Sequence, residues 1–231
     1  MPTLPPATKA LMLICTALFC VDALLGESLS LHFALWPIGS GMFMPWQLAT
    51  YALLHGSVAH LFFNMLGLWI FGPDLERLWG RTRYLQFLLA SALTAAAAQL
   101  VVTWLIGSPA PMIGISGAIY GLLLGYALMF PRRQFDLVGF LPMLLIMLPG
   151  SIFSVLGIIL YVMLLTNRQA VPIPPIAVPS LAMVTIFGAL ELFLGMLYTN
   201  SGVAHFAHLG GMLGGYLMIR YWRGAAPSRR R

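Results

Sequence analysis

Charge is what this chain has least of. Of its 231 residues only 8% are charged. A soluble domain of this length needs roughly a quarter of its residues charged to clothe its surface. That shortage excludes an ordinary soluble domain and leaves lipid as the solvent over most of the chain. Acids are scarcer still, six in all: Asp22, Glu27, Asp74, Glu76, Asp136 and Glu191. They form no cluster of the kind a metal or proton pathway uses. Cysteine is nearly absent. Cys15 and Cys20 share the first apolar run, where one helix holds them in poor disulfide geometry, so both read as small apolar fillers. No Cys-rich metal spacing exists. Strict alternation of apolar and polar residues is also missing, which argues against a transmembrane barrel. The net charge of +6 lacks a basic stripe with interleaved aromatics, so it does not indicate nucleic acid.

What is present is hydrophobic, 60% of the residues, in runs that reach the roughly 17–25 residues of a membrane-crossing helix. The reading is an all-α polytopic membrane protein, one membrane domain over 1–231. Residues 10–26 form a retained first span; Lys9 before it resembles a signal peptide's start, but no A-x-A-like site follows. Residues 27–53, rich in Trp, Phe, Met, Pro and Gly, form a membrane-immersed first loop with Trp36 and Trp46 suited to the interface. The next spans cover 56–71 and 84–106, joined by a polar segment at 73–83. A Gly/Pro-rich loop, 107–114, precedes a fourth span at 115–130. An apolar insertion occupies 136–168, and a Pro-rich linker 171–179. Spans at 180–197 and 203–222 and a basic tail at 223–231 complete the chain. With six spans and both termini cytoplasmic, all twelve basic residues fall on one side, as the positive-inside rule requires. His32, His55, His60, His205 and His208 fall toward the other.

Two geometric expectations follow. The fourth span has 16 residues, about 24 Å against a hydrocarbon about 30 Å thick. Its start therefore lies below the extracytoplasmic surface, where irregular backbone is tolerated only beside protein or water. An aqueous pit at Ser116 is expected. The insertion has basic residues on both sides, so it crosses an even number of times. A helical hairpin or re-entrant pair turning at Pro149-Gly150 satisfies this; one long interfacial helix is the rival.

Three segments can carry chemistry. Gly114-Ile115-Ser116-Gly117 opens the fourth span; alone, such a Ser is an ordinary helix N-cap. His60 and Asn64 share a helix face, either as a packing pair or as donors toward a developing negative charge. His208 lies one turn inside the last span. Gly211 and Gly215 follow it on one face, and the fourth span carries Gly117, Gly121 and Gly125. Two such faces permit close backbone approach and could bring Ser116 within hydrogen-bond reach of His208, as an activated serine needs.

From the second span to the sixth the chain resembles the rhomboid proteases, in HGSVAHLFFN (55–64), FGPDLE (71–76), GISGAIYG (114–121) and SGVAHFAHLGGMLGGY (201–216). The resemblance implies a six-helix rhomboid bundle and an intramembrane serine endopeptidase with a Ser–His dyad and no acid. Ser116 would be the nucleophile and His208 the general base. His60, Asn64 and the Ser116 N–H would form the oxyanion hole. Tyr120 would pack on the His208 ring, and His55 would have a structural role. Gly114, Gly117, Gly211 and Gly215 would support the site. Glu191 reads as a buried structural group, hydrogen-bonded or protonated, so His208 would be oriented by packing alone.

Two departures stand out. The first loop has Trp46-Gln47 where many family members carry Trp-Arg, which puts that loop's fixing contacts in doubt. The insertion exceeds the usual short connection and could shift the fifth span, which with loop 198–203 would gate the substrate. Expected partners are single-span membrane proteins and the bilayer, by default a bacterial plasma membrane; no metal or cofactor is required. A silent rhomboid-like chaperone and a metal or proton transporter, using His205-x-x-His208 with His60, are the competing readings. Sequence leaves the oligomeric state open.

Overall fold

The computed structural model describes residues 3–146, 148, 150–167, 173–197 and 204–225. Helix α1 spans Pro6–Leu24, with a proline pre-set for its first turn. The first N–H groups of a helix have no partner within it. Here Glu76, 68 residues away, supplies them. Its carboxylate accepts from the Ala7 N–H at 2.9 Å, the Thr8 N–H at 2.7 Å and the Thr8 hydroxyl at 2.8 Å. Asp22 does the same for α2, Ser28–Phe33, accepting from the Leu29 and Ser30 N–H groups. An acid inside an apolar run thus serves the next helix.

The first loop is built of short helical turns: α2, a 3-10 turn at Ile38–Ser40, α3 at Gln47–Thr50 and another 3-10 turn at Tyr51–Leu53. The doubt about Gln47 is resolved by its burial and its bonds. Its side chain is 1% exposed. The amide nitrogen donates to the carbonyls of His32 and Met42 at 3.1 and 3.0 Å. The amide oxygen accepts from the N–H groups of Met44 and Trp36 at 3.1 and 3.3 Å. One neutral amide, both donor and acceptor, ties together four points of the loop backbone.

Helix α4 runs Val58–Ile106, capped by Ser57, whose hydroxyl accepts from the His60 N–H. It breaks at Gly80, where φ is +76°, a conformation that favours glycine. The break makes two arms, 58–79 and 81–106. The polar segment expected as a connection at 73–83 is therefore helical almost throughout. Its acids do not need open loop because neighbouring helices use them: Glu76 caps α1, and Asp74 accepts from the Tyr126 hydroxyl at 3.1 Å.

Helix α5 covers Ser116–Met129. The insertion then forms β1 (Gln134–Asp136), α6 (Leu137–Ile146), α7 (Ser151–Thr166) and β2 (Ala177–Pro179). Helices α6 and α7 pack on each other, with Gly150 at φ +111° before α7; Pro149 and Arg168 lie outside the described residues. The supposed linker is structured at its end. Strands β1 and β2 pair antiparallel, Phe135 opposite Val178, and Asp136 accepts from the Ile176 N–H at 3.0 Å. The insertion's two ends are thus clipped together. Helix α8, Ser180–Leu197, starts beside the end of α5, its Ser180 hydroxyl donating to the Phe130 carbonyl at 2.7 Å. Helix α9, His205–Ala225, extends into the segment expected as a tail, so Arg223 is helical. The expected gate loop 198–203 and residues 226–231 lie outside the described residues.

Among the described residues, α1, α4 and α8 are long and apolar enough to cross a membrane. Large apolar side chains face outward along them, Leu24 at 86% and Trp104 at 78% exposed, as lipid-facing surface would be. Helix α9 lies against both α4 and α5. A methyl group added to Gly211 would overlap the Gly117 carbonyl, and one on Gly215 would lie 3.2 Å from Gly121 Cα. On the adjacent face, one on Gly210 would lie 2.8 Å from the Thr94 carbonyl oxygen and one on Gly214 2.7 Å from that of Ala90. Two stripes of glycine on α9 therefore touch two different backbones.

Gln47→Ala leaves those four backbone groups without their partner. With buried unpaired groups costing about 1–3 kcal/mol each before relaxation, a loss of about 2–4 kcal/mol is expected, read as a lowered melting temperature in detergent. Unchanged melting would mean that the loop is held by other contacts.

Candidate active site

The site is assembled where α5 begins. The chain reaches it through Gly114, whose φ is +114° and whose N–H donates to the Tyr51 carbonyl at 2.9 Å. A β-carbon there would sit 2.6 Å from His60 Nε2, so glycine alone fits between the loop and that ring. Ile115 occupies the N-cap without a side-chain bond, and Ser116 is the first helical residue. The ordinary N-cap reading of Ser116 is therefore not what the structure has. Its Oγ lies 2.8 Å from His208 Nε2, across 92 residues of sequence.

Besides Ser116, two neighbours hold the His208 ring. The Tyr120 ring, one turn below Ser116, stacks on it at 4.3 Å and an interplanar angle of 5°. Glu191 of α8 lies with Oε1 at 2.6 Å from His208 Nδ1. Its other oxygen lies 2.6 Å from His205 Nδ1, and the Tyr120 hydroxyl is a further hydrogen-bond partner. Glu191 is fully buried, and His205 and His208 are 2% and 7% exposed. The reading of a buried, hydrogen-bonded Glu191 is matched by this geometry. The reading that no acid stands beside His208 and that packing alone orients it is corrected. Sequence could not see the contact, because it depends on how α8 is rotated against α9. Glu191 and Gly195 share a face of α8, and a β-carbon on Gly195 would lie 3.1 Å from His205 Cβ. That close approach brings the carboxylate to both imidazoles. The ligand atoms of these three residues lie within 4.8 Å of one another, so the cluster also has the composition of a metal site.

His60 and Asn64 stand one turn apart on the first arm of α4, the Asn64 amide donating to the His60 carbonyl at 2.9 Å. Both line, with Ser116, Tyr120, His205 and His208, a cavity of about 620 Å³. Met143 of α6 and Ser154 of α7 line it too, so the insertion forms part of its wall. Thus the structure places His60 and Asn64 on the cavity that Ser116 faces. His55, in the loop before α4, meets the His60 ring edge-on at 5.1 Å. Burial, with the neighbouring His60 ring, pushes its pKa down to about 3, so it is neutral at physiological pH.

Residues 42–151 and 148–224 match the model of the Rhomboid domain. The chain belongs to the Rhomboid family. The rhomboid match takes in every residue of the cavity cluster, from His55 to His208. Among relatives, 92 residues are 41% identical to the rhomboid protease GluP of Bacillus subtilis (strain 168), covering 39% of this chain and 17% of that one. Over 159 residues the chain is 26% identical to the rhomboid protease GlpG of Yersinia pestis (strain Pestoides F), covering 66% of this chain and 55% of the relative. A GlpG of Yersinia pseudotuberculosis serotype I (strain IP32953) is 27% identical over 129 residues, 55% of this chain and 44% of the relative. The matched stretches thus span between about a sixth and about half of these relatives' lengths.

Gly114→Ala must displace either the loop or the His60 ring. A displacement near 1 Å at a reacting centre costs about 100-fold. The substitution is therefore expected to slow covalent modification of Ser116 by a fluorophosphonate about 10–100-fold. An unaltered labelling rate would show that the His60 position does not matter to Ser116.

Proposed function

We propose that this rhomboid family member is an intramembrane serine endopeptidase acting on the transmembrane segments of single-span membrane proteins. The observation that carries this reading is the 2.8 Å contact between Ser116 Oγ and His208 Nε2, at a cavity rather than in packed core. Ser116 Oγ attacks the scissile carbonyl carbon while its proton passes to His208 Nε2. The negative oxygen that forms is stabilised by the Ser116 N–H, His60 and Asn64. The carbon–nitrogen bond then breaks, and Nε2 returns the proton to the leaving amine. Water from the cavity repeats the sequence on the acyl-enzyme and releases Ser116. Each step uses only groups of the chain and water. Tyr120, stacked on the imidazole, limits its rotation.

In the bilayer, we read six crossings: α1, the two arms of α4, α5, α8 and α9. The pairing of β1 with β2 brings the two ends of the α6–α7 segment together, which supports an even crossing by the insertion. Both termini then face the cytoplasm, the cavity opens on the other face, and a bacterial plasma membrane is the setting that fits relatives from bacteria. A silent, chaperone-like role is less well supported, since such a role has no use for a serine hydrogen-bonded to a histidine.

The test is fluorophosphonate labelling of the detergent-purified protein together with cleavage of a single-span reporter in liposomes. Wild type should do both, and Ser116→Ala and His208→Ala neither. His60→Ala and Asn64→Ala should each lower turnover, by up to about 100–1,000-fold for one oxyanion donor, yet less than Ser116→Ala. A folded wild type that neither labels nor cleaves would refute the protease reading, and a fully active Asn64→Ala would remove that residue from the oxyanion site.

A further inference from the structure

Within the protease reading, we propose that Glu191 is a positioning residue for His208, and that His205 holds the Glu191 carboxylate in place. A carboxylate accepts hydrogen bonds and, when ionised, donates none. Glu191 has Oε1 at 2.6 Å from His208 Nδ1 and Oε2 at 2.6 Å from His205 Nδ1, the short separations of charge-assisted bonds. Each imidazole then carries its proton on Nδ1 and donates to the carboxylate. For His208 this has a direct consequence. In a neutral ring with the proton on Nδ1, Nε2 is a bare acceptor. Nε2 is the atom that lies 2.8 Å from Ser116 Oγ. The carboxylate thus selects the one neutral tautomer that can take the serine proton.

It also acts at the next moment. When Nε2 has accepted the proton, the ring is a cation in a site where it is only 7% exposed to solvent. A buried charge without a partner is costly, and Glu191 is the anion in contact with it. His205 and Tyr120 are the other partners of that anion. They fix its direction from two further helices, since His205 lies on α9 and Tyr120 on α5. The ionisable or hydroxyl groups facing His208 among the described residues are therefore Glu191, His205, Tyr120 and Ser116, with His60 across the cavity.

The experiment measures turnover of a single-span reporter against pH for wild type, Glu191→Gln and Glu191→Asp, all in liposomes. Gln keeps the shape but presents either an amide donor or a neutral acceptor. By analogy with the Asp-to-Asn change in a serine protease triad, kcat is expected to fall by up to about 10⁴-fold, with KM nearly unchanged. The acid limb of the rate profile should move to lower pH, because the imidazolium has lost its anion. Glu191→Asp should recover part of the rate. Glu191→Gln that melts like wild type, turns over within threefold of it and keeps the same acid limb would overturn the proposal. So would a rate that depends on removing metal with a chelator, since the three side chains would then be ligands rather than a proton-holding line. An inactive wild type would refute the protease reading itself and is distinct from either result. If Glu191→Gln fails to fold, ¹⁵N NMR of histidine-labelled wild type decides. The His208 signal, assigned by its loss in His208→Gln, should report a protonated Nδ1 and a bare Nε2 at neutral pH; the opposite tautomer would overturn the proposal.

Discussion

Everything at the site depends on backbone-to-backbone contact between α9 and its two neighbours. Lipid tails are as apolar as leucine, so helices in a membrane gain little from burying apolar surface and associate through close packing and polar contacts. In this chain the packing is made by Gly210, Gly211, Gly214 and Gly215, which leave no room for a β-carbon against the second arm of α4 or against α5. The seam with α5 sets His208 beside Ser116, and the seam with α4 fixes α9 from behind. Any side chain larger than hydrogen at Gly211 would overlap the Gly117 carbonyl and push the two helices apart.

The shortage of charge has its own logic. Five of the six acids serve as acceptors at defined points: Asp22 for the start of α2, Asp74 for the Tyr126 hydroxyl, Glu76 for the start of α1, Asp136 for the closure of the insertion and Glu191 for two imidazoles. In a medium without water, an unsatisfied N–H group costs several kcal/mol, so one carboxylate can organise an entire helix end. Gln47 does the same work uncharged, joining four loop groups through one amide.

Much of this was legible in the sequence because it follows from local spacing. Runs of apolar residues marked the helices, Gly150 marked the turn in the insertion, and glycines four apart marked the faces on which α5 and α9 meet. The shortness of the apolar run at 115–130 pointed to a pit at Ser116, and a cavity is found there. What sequence did not reveal depends on the rotation and register of helices far apart in the chain. Glu76 meets Thr8 across 68 residues and Glu191 meets His208 across 17; neither separation has a local signature. The helical course of 73–79 was missed because its polar residues suggested a connection, whereas its two acids, Asp74 and Glu76, have partners on neighbouring helices. The second seam also has a signal in the sequence, since Gly210 and Gly214 stand beside Gly211 and Gly215.

The most direct measurement compares the rate at which a fluorophosphonate modifies Ser116 in Gly211→Ala and in Leu213→Ala, whose side chain is 55% exposed on the outer face of the same helix. Both proteins would be checked for retained helicity. A shift near 1 Å between reacting groups costs about 100-fold, so Gly211→Ala should lose at least that much reactivity while Leu213→Ala matches wild type. Undiminished labelling of a folded Gly211→Ala protein would contradict the claim that the α5–α9 contact is what makes Ser116 reactive.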